Sequence, residues 1–181
     1  YRPKAEAETR AIEDFARRSE GQDFRLQPYD RFYYSAKMKQ AQYHFAEDDV
    51  KPYFNIDSVL VNGVFYAAQR AYGLTFKERK DIPTYHKDMR VFEVFDKDKR
   101  PLALWYCDYF RRPTKRGGAW MSSFSKQSKW RKQQPIIYNV CNYAKAPEGQ
   151  PTLLTWDEVT TMFHEFGHAL HGILSDCKYN M

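Results

Sequence analysis

The sequence predicts a mostly helical chain that carries one small antiparallel β-sheet. Three observations lead there. Apolar residues recur at helical spacing through residues 1–80, the pattern changes to alternation after Pro83, and residues 155–175 form an amphipathic run with a start signal of its own. Residues 85–145 are then expected to hold the sheet, between a helical beginning and one last helix.

The elements follow in order. Residues 4–18 (KAEAETRAIEDFARR) read as a charged helix with Ala11, Ile12 and Phe15 on one side. Residues 29–45 suit an aromatic-rich helix whose face is Phe32, Tyr33, Ala36, Gln40 and Tyr43. Pro52 breaks the chain, and residues 57–72 read as a third helix, with Ser58 as its cap and Gly73 at its end. MRVFEVF (89–95), the polar turn DKDKR and PLALWYCDYF (101–110) make a hairpin. GGAWMSSF (117–124) and PIIYNVCNY (135–143) are two more short strands, followed by a loop marked by Pro147, Gly149 and Pro151.

Composition narrows the function classes. Apolar residues at 43% and charged residues at 29% are ordinary for a folded protein and argue against global disorder. Aromatic residues reach 17%, which calls for a large core, a lined groove, or both. Three separated cysteines, Cys107, Cys141 and Cys177, with no CxxC spacing, argue against a disulfide framework and a thiolate metal site. They favour a reducing compartment, so a cytoplasmic setting is expected, with the periplasm as the alternative. No apolar run approaches a membrane span, and no membrane partner is expected. The chain opens on YRPKAEAETR without an initiator Met and is read as an internal piece of a longer protein.

The net charge of +6 includes two basic stretches, Arg111–Arg116 and Lys126–Lys132. Basic residues interleaved with aromatics are a nucleic-acid-binding pattern. No RNA-binding signature or helix-turn-helix spacing accompanies them, so they are expected to be solvated surface, with no nucleic-acid partner. Facing a channel, they would attract the terminal carboxylate of a peptide. The alternative from another class is a basic nucleic-acid-binding module with a fortuitous metal motif.

The chemistry sits in TWDEVTTMFHEFGHALHGILSD. Thr155 and Glu158 have capping-box spacing, and Asp157 adds acid to the first turn. His164-Glu165-Phe166-Gly167-His168 is an HExxH match. At about 100° per residue the two histidines lie one turn apart on one face and can reach a single ion. Imidazole suits Zn²⁺, and Glu165 stands beside the ligands, where a general base for an activated water belongs. The bland alternative is an amphipathic core helix with two histidines. Gly167 weighs against it, because glycine within a helix costs about 1 kcal/mol relative to alanine; close approach of a backbone or a substrate would explain it. His171 lies two turns from His164, about 10 Å along the axis, too far to share the ion, and reads as a polar or packing residue. The metzincin pattern is absent, since its last histidine falls on Leu174. A third protein ligand is still required. Asp176, His86 and upstream carboxylates are the choices within the chain, and no spacing selects one; the simpler expectation is a ligand beyond Met181.

FHEFGHALHG (163–172) closely resembles the zinc helix of the thimet-oligopeptidase-like metallopeptidases, with bacterial peptidyl-dipeptidases the nearest group. KPYFNIDSVLVNGVF (51–65), GLTFKERKDIPTYHKDMRVFEVFD (73–96), GGAWM (117–121) and PIIYNVCNY resemble that group in the right order, so the likeness covers most of residues 23–181. The resemblance implies a two-lobed, largely helical zincin around a deep channel, of which residues 1–181 are a single partial catalytic domain. The third-ligand helix and the C-terminal lobe are then missing. It implies His164 and His168 as ligands of one Zn²⁺, a Glu beyond Met181 as the third, and Glu165 as general base. It implies short peptides as substrates, release of C-terminal dipeptides, and a monomer when intact; an endo-acting oligopeptidase is the alternative within the family. By the same analogy the strand at GGAWM pairs with the substrate backbone, and its Gly118 and Ala119 line the cleft.

Overall fold

Side-chain pairs one turn apart and a narrow apolar stripe build the first helix. In the computed structural model, which describes residues 1–43 and 47–180, α1 runs Arg2–Glu20 and α2 runs Arg31–Tyr43. They pack through Ile12, Ala16 and Tyr34, with Phe24, Leu26 and Met38 around them. The predicted faces shift. On α1 the buried stripe is Ile12 and Ala16, while Ala11 is exposed and Phe15 half-buried. On α2 the buried residue is Tyr34, and the predicted face of Phe32, Tyr33, Ala36, Gln40 and Tyr43 is exposed. A helix this rich in aromatics offers two apolar stripes, and contact with α1 decides between them. The expected last residues of that helix, 44 and 45, lie outside the described residues. Residues Tyr1–Val50, ending in α3 (Glu47–Val50), form one compact unit, and Lys51–Met181 form another.

The second unit opens with a 3₁₀ turn, Lys51–Tyr53, and a helical run of three parts. These are α4 (Ile56–Ser58), a π-helical stretch (Val59–Phe65) and α5 (Tyr66–Tyr72). The cap is Asn55 and not Ser58: Asn55 Oδ1 accepts from the amides of Asp57 and Ser58 at 2.9 and 3.4 Å. Ser58 Oγ instead accepts from Asn62 Nδ2. Gly73 ends the run in the left-handed conformation, φ 71°, as its place in the sequence implies.

Five strands follow: β1 (Thr75–Glu78), β2 (Arg90–Phe95), β3 (Pro101–Phe110), β4 (Trp120–Ser125) and β5 (Ile136–Tyr143). Strand β1 falls in the stretch read as helical; four residues are too short for period-two alternation to register. The order is β1-β2-β3-β5-β4. All neighbours are antiparallel except β3 and β5, which run parallel, so the sheet is mixed and not antiparallel throughout. The parallel pair arises because the chain visits β4 at the sheet edge before returning to insert β5 beside β3.

One face of the sheet carries Trp105, Cys107, Tyr109, Ile137 and Cys141, buried together with the last helix, α6 (Trp156–Ile173). The helix lies against β5, with further contacts to β4 and β3. Gly172 lets it approach closely: a Cβ there would fall 2.7 Å from Ile137 Cδ1. The three cysteines are free.

The other face carries a buried charge cluster. Arg112 holds Asp108 through two bonds of 2.8 Å, Lys115 Nζ lies 3.0 Å from the same carboxylate, and Tyr85 donates to it at 3.0 Å. Burial pushes the Asp108 carboxyl up, but Arg112 and Lys115 outweigh it and hold it below its ordinary value. Lys115 goes the other way: burial first, and then the charge of Arg112, lower its ammonium despite Asp108. Tyr85 is pushed up to about 12 by burial and by its bond to Asp108.

Candidate metal centre

Helix α6 begins where Thr155 and Glu158 cap each other. Thr155 Oγ1 accepts from the Glu158 amide at 3.2 Å, and Glu158 Oε2 accepts from the Thr155 amide at 2.9 Å. From that start the sequence divides the helix into two sides. Val159, Met162, Glu165, Phe166, Ala169 and Ile173 are buried, while His164, Gly167 and His168 are exposed. Phe166 locks the buried side, with its ring 4.9 Å from Trp105 and 6.0 Å from Phe76.

Helical geometry then brings the two imidazoles together. Their Nε2 atoms are 3.1 Å apart, with ring centroids at 4.8 Å and planes at 81°. Either one Nε2–H donates to the other nitrogen, or both lone pairs serve a cation. Two nitrogens bound at 2.0–2.1 Å in a tetrahedral set lie about 3.3 Å apart, so the pair already has close to the bite of a zinc site. Glu165 is 7% exposed, and its Oε2 is buried without a hydrogen-bond partner among the described residues. A carboxylate oxygen is rarely left that way inside a protein, and its position one residue from His164 fits a group that serves a bound ion and its water. The donor set present fits two of the three protein ligands that a catalytic zinc requires. Among the described residues no group of three or more His, Cys, Asp or Glu gathers around one point.

Two of the other in-chain choices for a third ligand, His86 and Asp176, are engaged elsewhere. His86 Nδ1 accepts from the Asp88 amide, and Asp176 pairs with Lys129 at 2.7 Å. His171 is exposed and lines a cleft of about 620 Å³ between β4 and the end of α6, with Met121, Ser122 and Ser123 on the strand side. Gly118 and Ala119 precede β4, so the strand predicted to begin at Gly117 begins at Trp120. Gly118 adopts φ 91° and its carbonyl accepts from Asn142, while Ala119 packs against the core. A Cβ on Gly167 would meet nothing within 4 Å, so no described backbone requires that glycine. In the first basic stretch, Arg112 and Lys115 are committed to Asp108 and are not free to attract a substrate.

Two residues that tie this helix to the sheet were not singled out from the sequence. Asn139 on β5 donates from Nδ2 to the Glu165 carbonyl at 2.7 Å, and Trp105 Nε1 donates to Asn139 Oδ1 at 2.6 Å. The available signal was an asparagine at an inward position of the apolar strand IIYNVCNY.

Helix α6 thus holds the histidine pair against the sheet, and the edge strand β4 borders the cleft at the end of that helix. The chain belongs to peptidase family M3, whose sequence profile matches residues 1–181. It is 48% identical over 156 residues to a dipeptidyl carboxypeptidase of Salmonella typhimurium, covering 86% of this chain and 23% of that protein. The Escherichia coli dipeptidyl carboxypeptidase is 45% identical over 98% of this chain and 26% of its own length. Oligopeptidase A of Escherichia coli is 42% identical over 96% of this chain and 26% of its own length. The chain spans about a quarter of the length of these relatives.

Proposed function

We propose that the chain carries the metal-binding helix of a zinc metallopeptidase that hydrolyses oligopeptides and releases C-terminal dipeptides. One observation carries the reading: in a chain of family M3, two Nε2 atoms stand 3.1 Å apart on the helix that carries Glu165, whose Oε2 is buried with no hydrogen-bond partner among the described residues. His164 and His168 would hold the ion, with a Glu outside these residues as third ligand. When bound, Zn²⁺ supplies Lewis acidity to the scissile carbonyl and acidifies water to a pKa near 7. Glu165 then takes the proton of the attacking water on its carboxylate and returns it to the leaving amine. Strand β4 lies at the sheet edge, so its outer backbone groups are available to an extended peptide, with Gly118 and Ala119 leading into that edge.

Glu165→Ala in the full-length enzyme tests the base. Zinc content should be unchanged and kcat should fall by about 10²–10⁴; preserved turnover would remove the assignment. The two dipeptidyl carboxypeptidases among the relatives support dipeptide release. Oligopeptidase A, similar over nearly the whole chain, supports the second reading of an internal cut. An N-blocked peptide separates them: serial loss of dipeptides against one internal cleavage.

A further inference from the structure

Asn139 is a polar side chain at an inward position of an apolar strand, and it is 1% exposed. The orientation of its amide is unambiguous. An indole N–H only donates and a backbone carbonyl only accepts, so Oδ1 faces Trp105 and Nδ2 faces the helix. The carbonyl it meets belongs to Glu165, within α6, and the helix supplies a partner of its own from Ala169 four residues on. Helix formation therefore does not require Asn139. An apolar side chain of similar size would fill the space without the cost of a buried amide. What the amide adds is direction, because a hydrogen bond fixes distance and angle where apolar contact tolerates sliding. The bond lands on the peptide between Glu165 and Phe166, inside the turn that separates His164 from His168. Trp105 controls both partners of that turn: it bonds the Asn139 amide and packs its indole against Phe166.

We propose that Asn139, held in orientation by Trp105, is a positioning residue for peptide hydrolysis. It sets the depth and rotation of the HExxH turn and so places the Glu165 carboxylate and the His164–His168 nitrogen pair. The proposal rests on the metallopeptidase reading above.

The test uses the full-length enzyme and two variants. Asn139→Leu removes both bonds while keeping an apolar filling; Trp105→Phe keeps an aromatic ring but releases the amide. Three readouts are compared with the parental enzyme: kcat, KM for an N-blocked peptide, and zinc affinity by competition with a chelator in the absence of substrate. The expected result for Asn139→Leu is a fall in kcat of about tenfold or more, KM within twofold, and zinc affinity weakened about tenfold. Trp105→Phe should show the same pattern at smaller size, about threefold. A folded Asn139→Leu with kcat and zinc affinity both within twofold of the parent, or with its loss confined to KM, overturns the proposal. Where Asn139→Leu does not fold, Trp105→Phe decides by the same two criteria. A parental enzyme that neither binds zinc nor cleaves peptide overturns the functional reading, and it is recognised before any variant is made.

Discussion

Helices α1 and α6 are nearly the same length, 19 and 18 residues, and are built in different ways. On α1 two residues are buried, Ile12 and Ala16, and its N-cap Tyr1 makes no side-chain bond to the helix. Exposed pairs one turn apart decorate it, such as Arg2 with Glu6 at 3.0 Å. On α6 six residues are buried, a reciprocal cap fixes the first turn, and Asn139 ties the middle to the sheet. A helix that must hold two nitrogens 3.1 Å apart is anchored at its start, its middle and its buried side. Helix α1 lacks a side-chain cap bond and buries only two residues, and its middle is tied to α2 by Arg31, which bonds Thr9 Oγ1 and Glu8. Surface ion pairs contribute about 0–1 kcal/mol each, too little to hold a side chain in place for chemistry.

The comparison is sharpened most by cutting the buried anchor of each helix. Phe166→Ala should destabilise α6 by about 3–5 kcal/mol, since the ring fills a core shared with Trp105 and Phe76. Ile12→Ala should cost less, about 2 kcal/mol, because its cluster has three buried residues and can collapse. Hydrogen-exchange protection of each helix in the full-length enzyme measures both, and equal losses would break the contrast.

Charge pairs offer a second cut. Asp108→Asn leaves the Lys115 ammonium, 4% exposed, without its counter-ion and should cost about 3 kcal/mol. Arg2→Ala, at a pair 90% and 52% exposed, should change stability by less than about 0.5 kcal/mol. The same cluster predicts a pH dependence. The folded Asp108 carboxyl is held below its unfolded value, so its stabilisation is fully present above the unfolded pKa of about 4. It is lost as the pH falls through the depressed folded value. Denaturation at several pH values should show this acid loss in the parental enzyme and not in Asp108→Asn.

Within α6 a smaller effect is expected at the cap. Thr155→Ala removes the acceptor of the Glu158 amide and should cost about 1 kcal/mol in α6, read from its denaturation midpoint. No equivalent substitution exists in α1.

Much of the candidate site was legible in the residues. The HExxH spacing, the capping box and the separation of an apolar side from a histidine side are all local, set by 3.6 residues per turn within one element. The hairpin of β2 and β3 and the stop at Gly73 were legible for the same reason. The errors fell where a partner decides. Helix α2 turned Tyr34 inward and left Phe32 out, because α1 selects one of its apolar stripes. Strand β5 pairs parallel to β3, because order within a sheet depends on where the chain returns. Asn55 displaced Ser58 as the cap by a shift of three residues, within a helical run that also contains a π-helical stretch.

The sequence by itself determined that two imidazoles share one helical face with a carboxylate next to the first, since the backbone period alone dictates it. Only the tertiary structure decided that Glu165 is buried with one oxygen lacking a hydrogen-bond partner among the described residues, that β4 is an edge, and that Asn139 and Trp105 reach the turn of the helix. Those relations join residues 26 to 34 positions apart, as in the bonds of Asn139 to Glu165 and to Trp105. They arise from packing between elements, which no local periodicity encodes.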